Sequence, residues 1–228
     1  MEHAIQVHQL TKRYGSFVAV DHISFDVRKG EIFGFLGANG AGKTTAMRML
    51  CGTLTPSSGT ISLDGNNGYM SQRFSLYQDL TVDENLRYFA AIYGLRATDL
   101  DSRSHQLLQQ LHFLHARHTP VKDLPLGWKQ KTAFAAAIIH RPQILFLDEP
   151  TAGVDPLTRR RFWELIYREA DHGMTIFVTT HYMDEAEYCH RLSIMVAGRI
   201  AALDTPANLK ERFHASSIDD VFQQLVGR

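Results

Sequence analysis

Residues 37–45 read Gly-Ala-Asn-Gly-Ala-Gly-Lys-Thr-Thr, a complete GxxxxGK[ST] loop between an apolar run at 32–36 and a segment of helical character at 43–50. In this strand, loop and helix context the pattern forms a phosphate-binding loop (P-loop), because its glycines let successive backbone N–H groups point at one anion. The N-terminus of the following helix adds partial positive charge. The stretch therefore predicts a nucleoside triphosphate site in an α/β protein.

Each residue of the loop has an expected task. The Lys43 ammonium would reach the β- and γ-phosphates, and the Thr44 hydroxyl would ligate Mg²⁺. The remaining residues would hold the phosphates along the loop: Gly37, Ala38, Asn39, Gly40, Ala41, Gly42 and Thr45. A glycine-rich turn that matches by chance is the alternative, and the flanking strand and helix argue against it.

A second apolar run, Ile144-Leu-Phe-Leu-Asp-Glu149, ends in two adjacent carboxylates. Such a run is typical of a central parallel strand, and ligands bind at the carboxyl ends of these strands. We expect Asp148 to lie near Mg²⁺, and Glu149 to face the γ-phosphate and position or deprotonate the attacking water. Taken alone, Asp-Glu-Pro also fits a turn that merely ends a strand.

Length and composition limit the possible classes of protein. The 228 residues suffice for one domain, and 24 basic against 24 acidic residues give no reason to expect nucleic-acid binding. No apolar run approaches the ~18 residues that span a bilayer, and no secretory signal pattern is visible, so we expect a cytoplasmic chain. Cys51 and Cys189 have no metal-ligand spacing and are interpreted as reduced packing residues.

Local patterns predict how the secondary structure is ordered. Short β-like pieces are expected at 5–10, 17–20, 23–27 and 60–63. A capping box at Thr81-Val-Asp-Glu84 begins a helix that Gly94 ends, and a second helix is predicted over 98–115. Strands then alternate with helices, which favours a parallel sheet: strands 144–147, 175–179 and 192–196, with helices 156–170 and 183–188.

The order of these features resembles the ATP-binding-cassette (ABC) ATPases over nearly the whole chain. The matching features are Tyr14, the P-loop, Gln72, Asp148-Glu149, the Ala152-Gly-Val-Asp155 turn and His181. The resemblance implies a single domain over 1–228 with a P-loop NTPase core of the ABC type and an antiparallel β subdomain. The core would occupy about 1–75 and 140–228, and a helical subdomain would be inserted at about 76–139.

The resemblance also implies roles for individual residues. Tyr14 would stack on adenine, Gln72 would sense Mg²⁺ and the attacking water, and His181 would contact the γ-phosphate. Asp155 belongs to a turn that crosses a dimer interface, since two cassettes of this family enclose ATP between them. Outside this pattern, a lone tyrosine or histidine at a strand end is more often a packing residue.

The family's Leu-Ser-Gly-Gly-Gln signature is altered here to Leu124-Pro-Leu-Gly-Trp128. Pro125 replaces the serine whose hydroxyl meets the γ-phosphate of the opposite subunit, and proline has neither hydroxyl nor N–H. Leu126 and Gly127 would still face that ATP in trans from the start of the next helix, so closure should weaken without being abolished. The altered signature resembles the YbhF-type ATPases of bacterial multidrug exporters.

These observations predict an ATP-hydrolysing subunit, with ATP and Mg²⁺ as cofactors, that powers export of drugs or small molecules at the inner face of the bacterial cell membrane. Its partners would be a separate transmembrane permease and a second cassette, either another copy or a sister cassette. A set of apolar residues would either contact the permease or seat the helical insert on the core: Phe74, Leu76, Tyr77 and Leu80.

The alternatives to a transport ATPase are a soluble cassette ATPase that acts on ribosomes or DNA, and a P-loop kinase. The chain lacks the long linkers and basic arms typical of the former, and Gln72, Asp155 and His181 argue against the latter.

Overall fold

The computed structural model describes residues 2–73 and 75–227. The strands are β1 (His3–Tyr14), β2 (Phe17–Arg28), β3 (Ile32–Leu36), β4 (Ser58–Leu63), β5 (Asn67–Met70), β6 (Ile144–Asp148), β7 (Thr175–Thr180), β8 (Arg191–Val196) and β9 (Arg199–Asp204). The helices are α1 (Lys43–Leu50), α2 (Val82–Ile92), α3 (Ala97–Gln110), α4 (Leu126–Ile138), α5 (Pro156–Asp171), α6 (Met183–Ala186), α7 (Pro206–Arg212) and α8 (Ile218–Val226).

The larger sheet has the strand order β5-β6-β7-β3-β8-β9 and is parallel except for β9. Its central strands β3, β6 and β7 are buried along their whole length, which explains the apolar runs 32–36, 144–147 and 176–178 within them. Because β3, β6 and β7 run the same way, the P-loop, Glu149 and His181 follow their carboxyl ends at one edge of the sheet. The predicted parallel α/β core is therefore confirmed.

The smaller sheet is antiparallel, with the order β2-β1-β4, and it confirms the predicted antiparallel β subdomain. The pieces predicted at 17–20 and 23–27 are one strand, β2. The pairing shifts between Leu10 opposite Ile23 and Lys12 opposite Val20, and His22 between them has a left-handed backbone with φ 52°. This bulge interrupts the alternation of apolar residues and makes one strand look like two in sequence.

The helices between β5 and β6 agree only in part with the predictions made from the sequence. Thr81 Oγ1 accepts a hydrogen bond from the Glu84 N–H, and the Glu84 carboxylate accepts from the Thr81 N–H, so α2 begins with the predicted capping box. The predicted helix over 98–115 is wrong at its end, since α3 stops at Gln110. His112 then takes a left-handed φ of 52°, and the chain continues in a 3₁₀ turn at Leu114–Ala116.

Helix α4 lies against the larger sheet. A Cβ atom on Gly68 of β5 would lie 2.1 Å from the Ala137 carbonyl oxygen, so the two backbones touch. The buried run Ala133–Ile139 belongs to the same apolar cluster as Leu145 and Ile176 of the sheet. The proposed subdomain boundary near residue 139 stays a prediction.

The chain after Val196, for which the sequence pattern predicts no element, forms β9, α7 and α8. Thr205 and Ser217 cap α7 and α8 through their hydroxyls. Leu209 and Val221 pack with Leu36 and Ile194, and they cover the side of the sheet next to the P-loop strand.

His140, just after α4, packs between the helices and the sheet. Its ring stacks on Tyr93 at a centroid distance of 3.6 Å, its Nε2 lies 3.0 Å from the Asn67 carbonyl oxygen, and its buried Nδ1 has no hydrogen-bond partner within residues 2–73 and 75–227. Burial lowers the pKa of His140 below its usual 6.5, and the hydrogen bond to Asn67 opposes this only partly. The folded protein therefore favours the neutral ring with hydrogen on Nε2.

Replacement of His140 by phenylalanine should make the free energy of unfolding less dependent on pH. Because the folded pKa is lowered, the neutral ring contributes its full stabilisation above the unfolded pKa, and this is lost as pH falls below about 6.5. His140→Phe keeps the stacked ring but cannot titrate, so it should be less stable than the wild type at pH 7.5 and approach it towards pH 5. Urea unfolding at both pH values measures the gap, and a constant gap would contradict the assignment.

Candidate nucleotide site

The P-loop backbone needs its glycines at specific places. A Cβ atom on Gly37 would lie 2.6 Å from the Met195 carbonyl oxygen, and one on Gly42 would lie 2.4 Å from that of Ala19. Gly40 has a φ of 83° and faces open space. Gly37 and Gly42 therefore allow close backbone packing, while Gly40 and Gly42, the latter with φ 104°, give the loop the left-handed backbone that favours glycine.

Lys43, the first residue of α1, is 4% exposed and points back into the loop. Its Nζ donates to the carbonyl oxygens of Gly37 at 2.7 Å and Ala38 at 3.2 Å, and it lies 3.5 Å from Glu149 Oε1. Burial lowers the pKa of Lys43, and the Glu149 carboxylate offsets part of that effect. The lysine thus joins the P-loop to the end of β6.

Glu149 has a left-handed backbone, with φ 48°. Its N–H donates to Thr179 Oγ1 at 3.0 Å and to the Thr179 carbonyl oxygen at 3.2 Å, which holds this conformation. A non-glycine residue in this region costs about 1–3 kcal/mol, and such residues cluster at functional sites. The side chain is thereby held beside Lys43 instead of continuing the line of β6.

Gln72 and His181 converge on the same carboxylate. Gln72 Nε2 donates to Glu149 Oε2 at 2.9 Å, and His181 Nδ1 lies 3.0 Å from that oxygen. The structure therefore brings together the three residues that the sequence proposes as catalytic. A carboxylate flanked by a cation, an amide and an imidazole has the donors needed to bind and orient a water molecule.

Asp148 is 1% exposed, and its Oδ1 accepts a hydrogen bond from Thr179 Oγ1 at 2.7 Å. Burial raises the pKa of Asp148; the Thr179 hydroxyl acts against this, and the neighbouring Glu149 charge adds to it. A bound cation would favour the ionised form, which is the form that ligates Mg²⁺.

The donor set fits Mg²⁺. The Thr44 hydroxyl makes no hydrogen bond within the described part of the chain and is free to act as a ligand. With the Gln72 amide and the Asp148 carboxylate it offers the hard oxygen donors that Mg²⁺ prefers. Water and phosphate oxygens would supply the remaining ligands.

Thr179 is a site residue that sequence reasoning did not single out. It is fully buried and contacts both carboxylate residues, through Asp148 Oδ1 and the Glu149 N–H. The available signal was its position, since two threonines in succession follow the apolar run 176–178 and end β7 beside His181. A polar pair at the carboxyl edge of a parallel sheet indicates a site residue.

Tyr14 ends β1 at the turn into β2 and is 51% exposed. Lys12 Nζ lies 5.3 Å from its ring centroid, and Phe17 is its partner across the hairpin. The ring is therefore not a core residue, and its face is accessible to a base. Its proposed contact with adenine stays a prediction.

Leu126, Gly127 and Asp155 line a separate cleft of about 300 Å³ between the starts of α4 and α5. Pro125 stands at the N-cap of α4, one residue before the first turn, and its carbonyl oxygen accepts from the Trp128 and Lys129 N–H groups. The N–H groups of Leu126 and Gly127 belong to the first turn, where no intrahelical acceptor exists.

Asp155 caps helix α5 within its own chain. Its carboxylate accepts from the Thr158 N–H at 3.0 Å and from the Thr158 hydroxyl at 2.6 Å. These hydrogen bonds keep the pKa of Asp155 below its usual value. The turn that carries Asp155 is thereby fixed to the helix behind it.

The apolar residues after Gln72 divide between two environments. Leu76 is buried in the main apolar cluster and seats the helices on the sheet, whereas Tyr77 is exposed and its hydroxyl donates to that of Tyr88 at 2.7 Å. Leu80 is half-buried, and Phe74 lies outside the described residues. Of the three positions that the structure describes, Tyr77 is the exposed one.

No helix in the described ranges has both the length and the apolar character required to span a bilayer.

Comparison with known proteins agrees with this geometry. The ABC transporter family model matches residues 20–152. The chain is 46% identical over 221 residues to the probable multidrug ABC transporter ATP-binding protein YbhF of Escherichia coli (strain K12), a match that covers 92% of this chain and 38% of that protein. It is 40% identical over 220 residues to the Nod factor export ATP-binding protein I of Burkholderia thailandensis, covering 91% of this chain and 72% of that protein.

Among solved structures, an ATP-binding subunit of an ABC transporter superposes with a TM-score of 0.87 at 28% identity, over 97% of this chain and 99% of that one. The P-loop, the carboxylates at the end of β6 and His181 after β7 thus occur in a fold that is shared along almost its entire length. The chain belongs to the ABC transporter family, as an ATP-binding cassette.

Proposed function

We propose that the chain binds ATP with Mg²⁺ and hydrolyses it to drive an export permease carried on a separate polypeptide. The observation that carries this proposal is the convergence of Lys43, Gln72 and His181 on the Glu149 carboxylate. A structural ion pair would need only one of these partners. Three polar groups around one carboxylate at the end of a parallel strand fit the task of positioning water beside a phosphate.

In the proposed reaction, the Lys43 ammonium and the N–H groups of the P-loop bind the β- and γ-phosphates. Mg²⁺, held by Thr44, Asp148 and Gln72, would neutralise phosphate charge. Glu149 Oε2 accepts the proton of the attacking water, which the Gln72 amide helps to orient. His181 contacts the γ-phosphate and is held beside the same carboxylate oxygen.

The site would be completed by a second cassette, which contributes the start of its α4 helix with Leu126 and Gly127, and the turn that carries Asp155. These residues share one cleft, which supports a common contact surface. We propose that the second cassette is another copy or a sister cassette. The chain spans 38% of the length of YbhF, so the assembly is proposed and not transferred from that relative.

The exported molecule and the location follow from the same proposal. Relatives named for multidrug and Nod factor export support a role in efflux of drugs or other small molecules, at the inner face of the cell membrane. The exposed Tyr77 and Tyr88 pair, whose ring centroids lie 4.6 Å apart, is the surface we assign to the permease. The balanced charges of the chain do not favour the alternative of action on ribosomes or DNA, because binding to nucleic acid generally needs an excess of basic residues.

The proposal is tested by phosphate release from Mg²⁺-ATP by the purified chain, and by purification of the native protein in detergent. We expect hydrolysis above the spontaneous rate and a permease recovered with the native protein. An inactive chain would contradict the ATPase assignment. Recovery with ribosomes or DNA, and without a permease, would contradict the transport role.

Substitution of Pro125 by serine should strengthen ATP-dependent dimerisation. The serine hydroxyl would add a hydrogen bond to a charged phosphate, worth about 1.5–3 kcal/mol, so dimers should form at a chain concentration roughly 10- to 100-fold lower. Sedimentation with ATP in a Glu149→Gln background measures this without turnover. Pro125→Ala is the matched control, because it removes the ring without adding a hydroxyl. Equal dimerisation of the two variants would show that the hydroxyl has no effect.

A further inference from the structure

Glu185, on the short helix α6, is a completely buried carboxylate outside the cluster around Glu149. It accepts hydrogen bonds from two threonine hydroxyls, Thr151 at Oε1 and Thr180 at Oε2, the latter at 2.6 Å. Thr151 comes two residues after Glu149, and Thr180 directly precedes His181. A buried carboxylate is costly unless its oxygens are bonded, so both threonines are held tightly to it.

The Thr180 hydroxyl fixes the backbone around His181. Besides donating to Glu185, it accepts from the Tyr182 N–H at 3.0 Å, so the same oxygen is bonded on the far side of the histidine. The turn that carries His181 is therefore closed by one side chain, and that side chain is oriented by Glu185. The direction of the His181 ring towards Glu149 depends on this turn.

Arg159 of α5 ties the same region to the helix that Asp155 begins. Its Nε lies 3.5 Å from Glu185 Oε1, its Nη1 donates to Asp184 at 3.2 Å, and its guanidinium lies 3.8 Å from the ring centroid of Tyr182. The guanidinium stacks on the residue next to His181. The turn bearing Asp155, the segment after Glu149 and the His181 turn thus meet at the pair formed by the half-buried Arg159 and the buried Glu185.

We propose that Glu185, through Thr151 and Thr180, is a positioning residue that sets His181 against Glu149 during ATP hydrolysis. This inference rests on the proposed ATPase function. Glu185 itself touches neither Lys43 nor the P-loop through any hydrogen bond or ion pair in the described ranges, so its effect is carried by His181 and not by nucleotide binding.

Thr180→Val tests the proposal, since it removes the hydroxyl and retains the branched shape. We expect kcat to fall by about 10- to 100-fold, the loss that a misplaced catalytic group causes, with KM for ATP changed by less than about two-fold. Thr180→Ser, which restores the hydroxyl, should recover most of the activity. Thr175→Val is the matched control: Thr175 is buried at the other end of β7, and its hydroxyl accepts a hydrogen bond from the Gly30 N–H at 3.0 Å that the variant loses, yet kcat should stay unchanged.

A double-mutant cycle separates positioning from a general loss of structure. If Thr180 acts through His181, Thr180→Val should lower kcat little further in a His181→Ala background. An equal loss in both backgrounds would overturn the proposal, as would a wild-type kcat for Thr180→Val. Glu185→Gln, combined with His181→Ala in the same way, tests the same coupling through kcat. A wild-type chain with no ATPase activity would contradict the proposed function itself and the inference with it.

Discussion

Glu149→Gln should retain ATP binding and lower turnover by about 10²–10⁴-fold, the range typical of a lost general base. The amide keeps the size of the side chain and can still contact Gln72, but it cannot accept a proton from water. Its neighbour Lys43 loses the carboxylate 3.5 Å away, and the phosphates of bound ATP would then be its anionic partner. The measurement is steady-state phosphate release, together with equilibrium binding of ATP to the same preparation.

The control for this variant is Glu211→Gln, which removes an exposed carboxylate of α7. It should hydrolyse ATP at the wild-type rate. Wild-type turnover by Glu149→Gln would remove Glu149 from the role of base. Turnover lost together with ATP affinity would assign Glu149 to binding instead of catalysis.

Lys43→Ala should abolish measurable nucleotide binding. The ammonium is almost entirely enclosed, and two loop carbonyls direct it into the P-loop. Its removal takes away an ammonium that lies against the loop and leaves those carbonyls without their donor, so the phosphates would lose this cationic partner and rely mainly on backbone N–H groups for their contacts with the loop.

Titration with ATP, followed by calorimetry, measures the loss in Lys43→Ala. Lys122→Ala, at an exposed lysine paired with Asp79, should bind ATP as the wild type does. A Lys43→Ala protein that melts normally and binds ATP with unchanged affinity would refute the assignment of the loop.

The arrangement of the central sheet could be predicted from sequence because its signals are local and strong. The buried strands β3, β6 and β7 each contain an apolar run that ends where chemistry-bearing residues begin. Parallel strands that share one edge then place the P-loop, Asp148 and Glu149 together, which the structure confirms.

Other features depend on tertiary contacts that leave no pattern in sequence. The left-handed backbones of His22, His112 and Glu149 occur at residues that usually avoid this conformation, so neither the bulge in β2 nor the early end of α3 could be read from the chain. The contacts of Thr179 and Glu185 join segments that are distant in sequence. The position of Gln72 came from family resemblance alone, since a single glutamine carries no signal.

In the signature region, the sequence and the structure describe different properties of Pro125 and helix α4. The sequence reveals that Pro125 lacks the hydroxyl, and the structure shows that α4 nevertheless begins directly after it. Helix α5 begins beside α4 with Asp155 at its cap, so both elements present their first turns to one cleft. This arrangement supports a surface that meets the nucleotide of a second cassette, even without the serine.

The central claim is that ATP is hydrolysed between two cassettes, with Glu149 of one and the α4 start of the other. The most direct test is the specific ATPase activity of the purified chain, measured in Mg²⁺-ATP over a wide range of chain concentrations. Activity per chain should rise with concentration and level off as dimers form, and Lys43→Ala should stay inactive throughout. A specific activity that is constant down to the lowest concentration would show that one chain hydrolyses ATP alone, and would contradict the account.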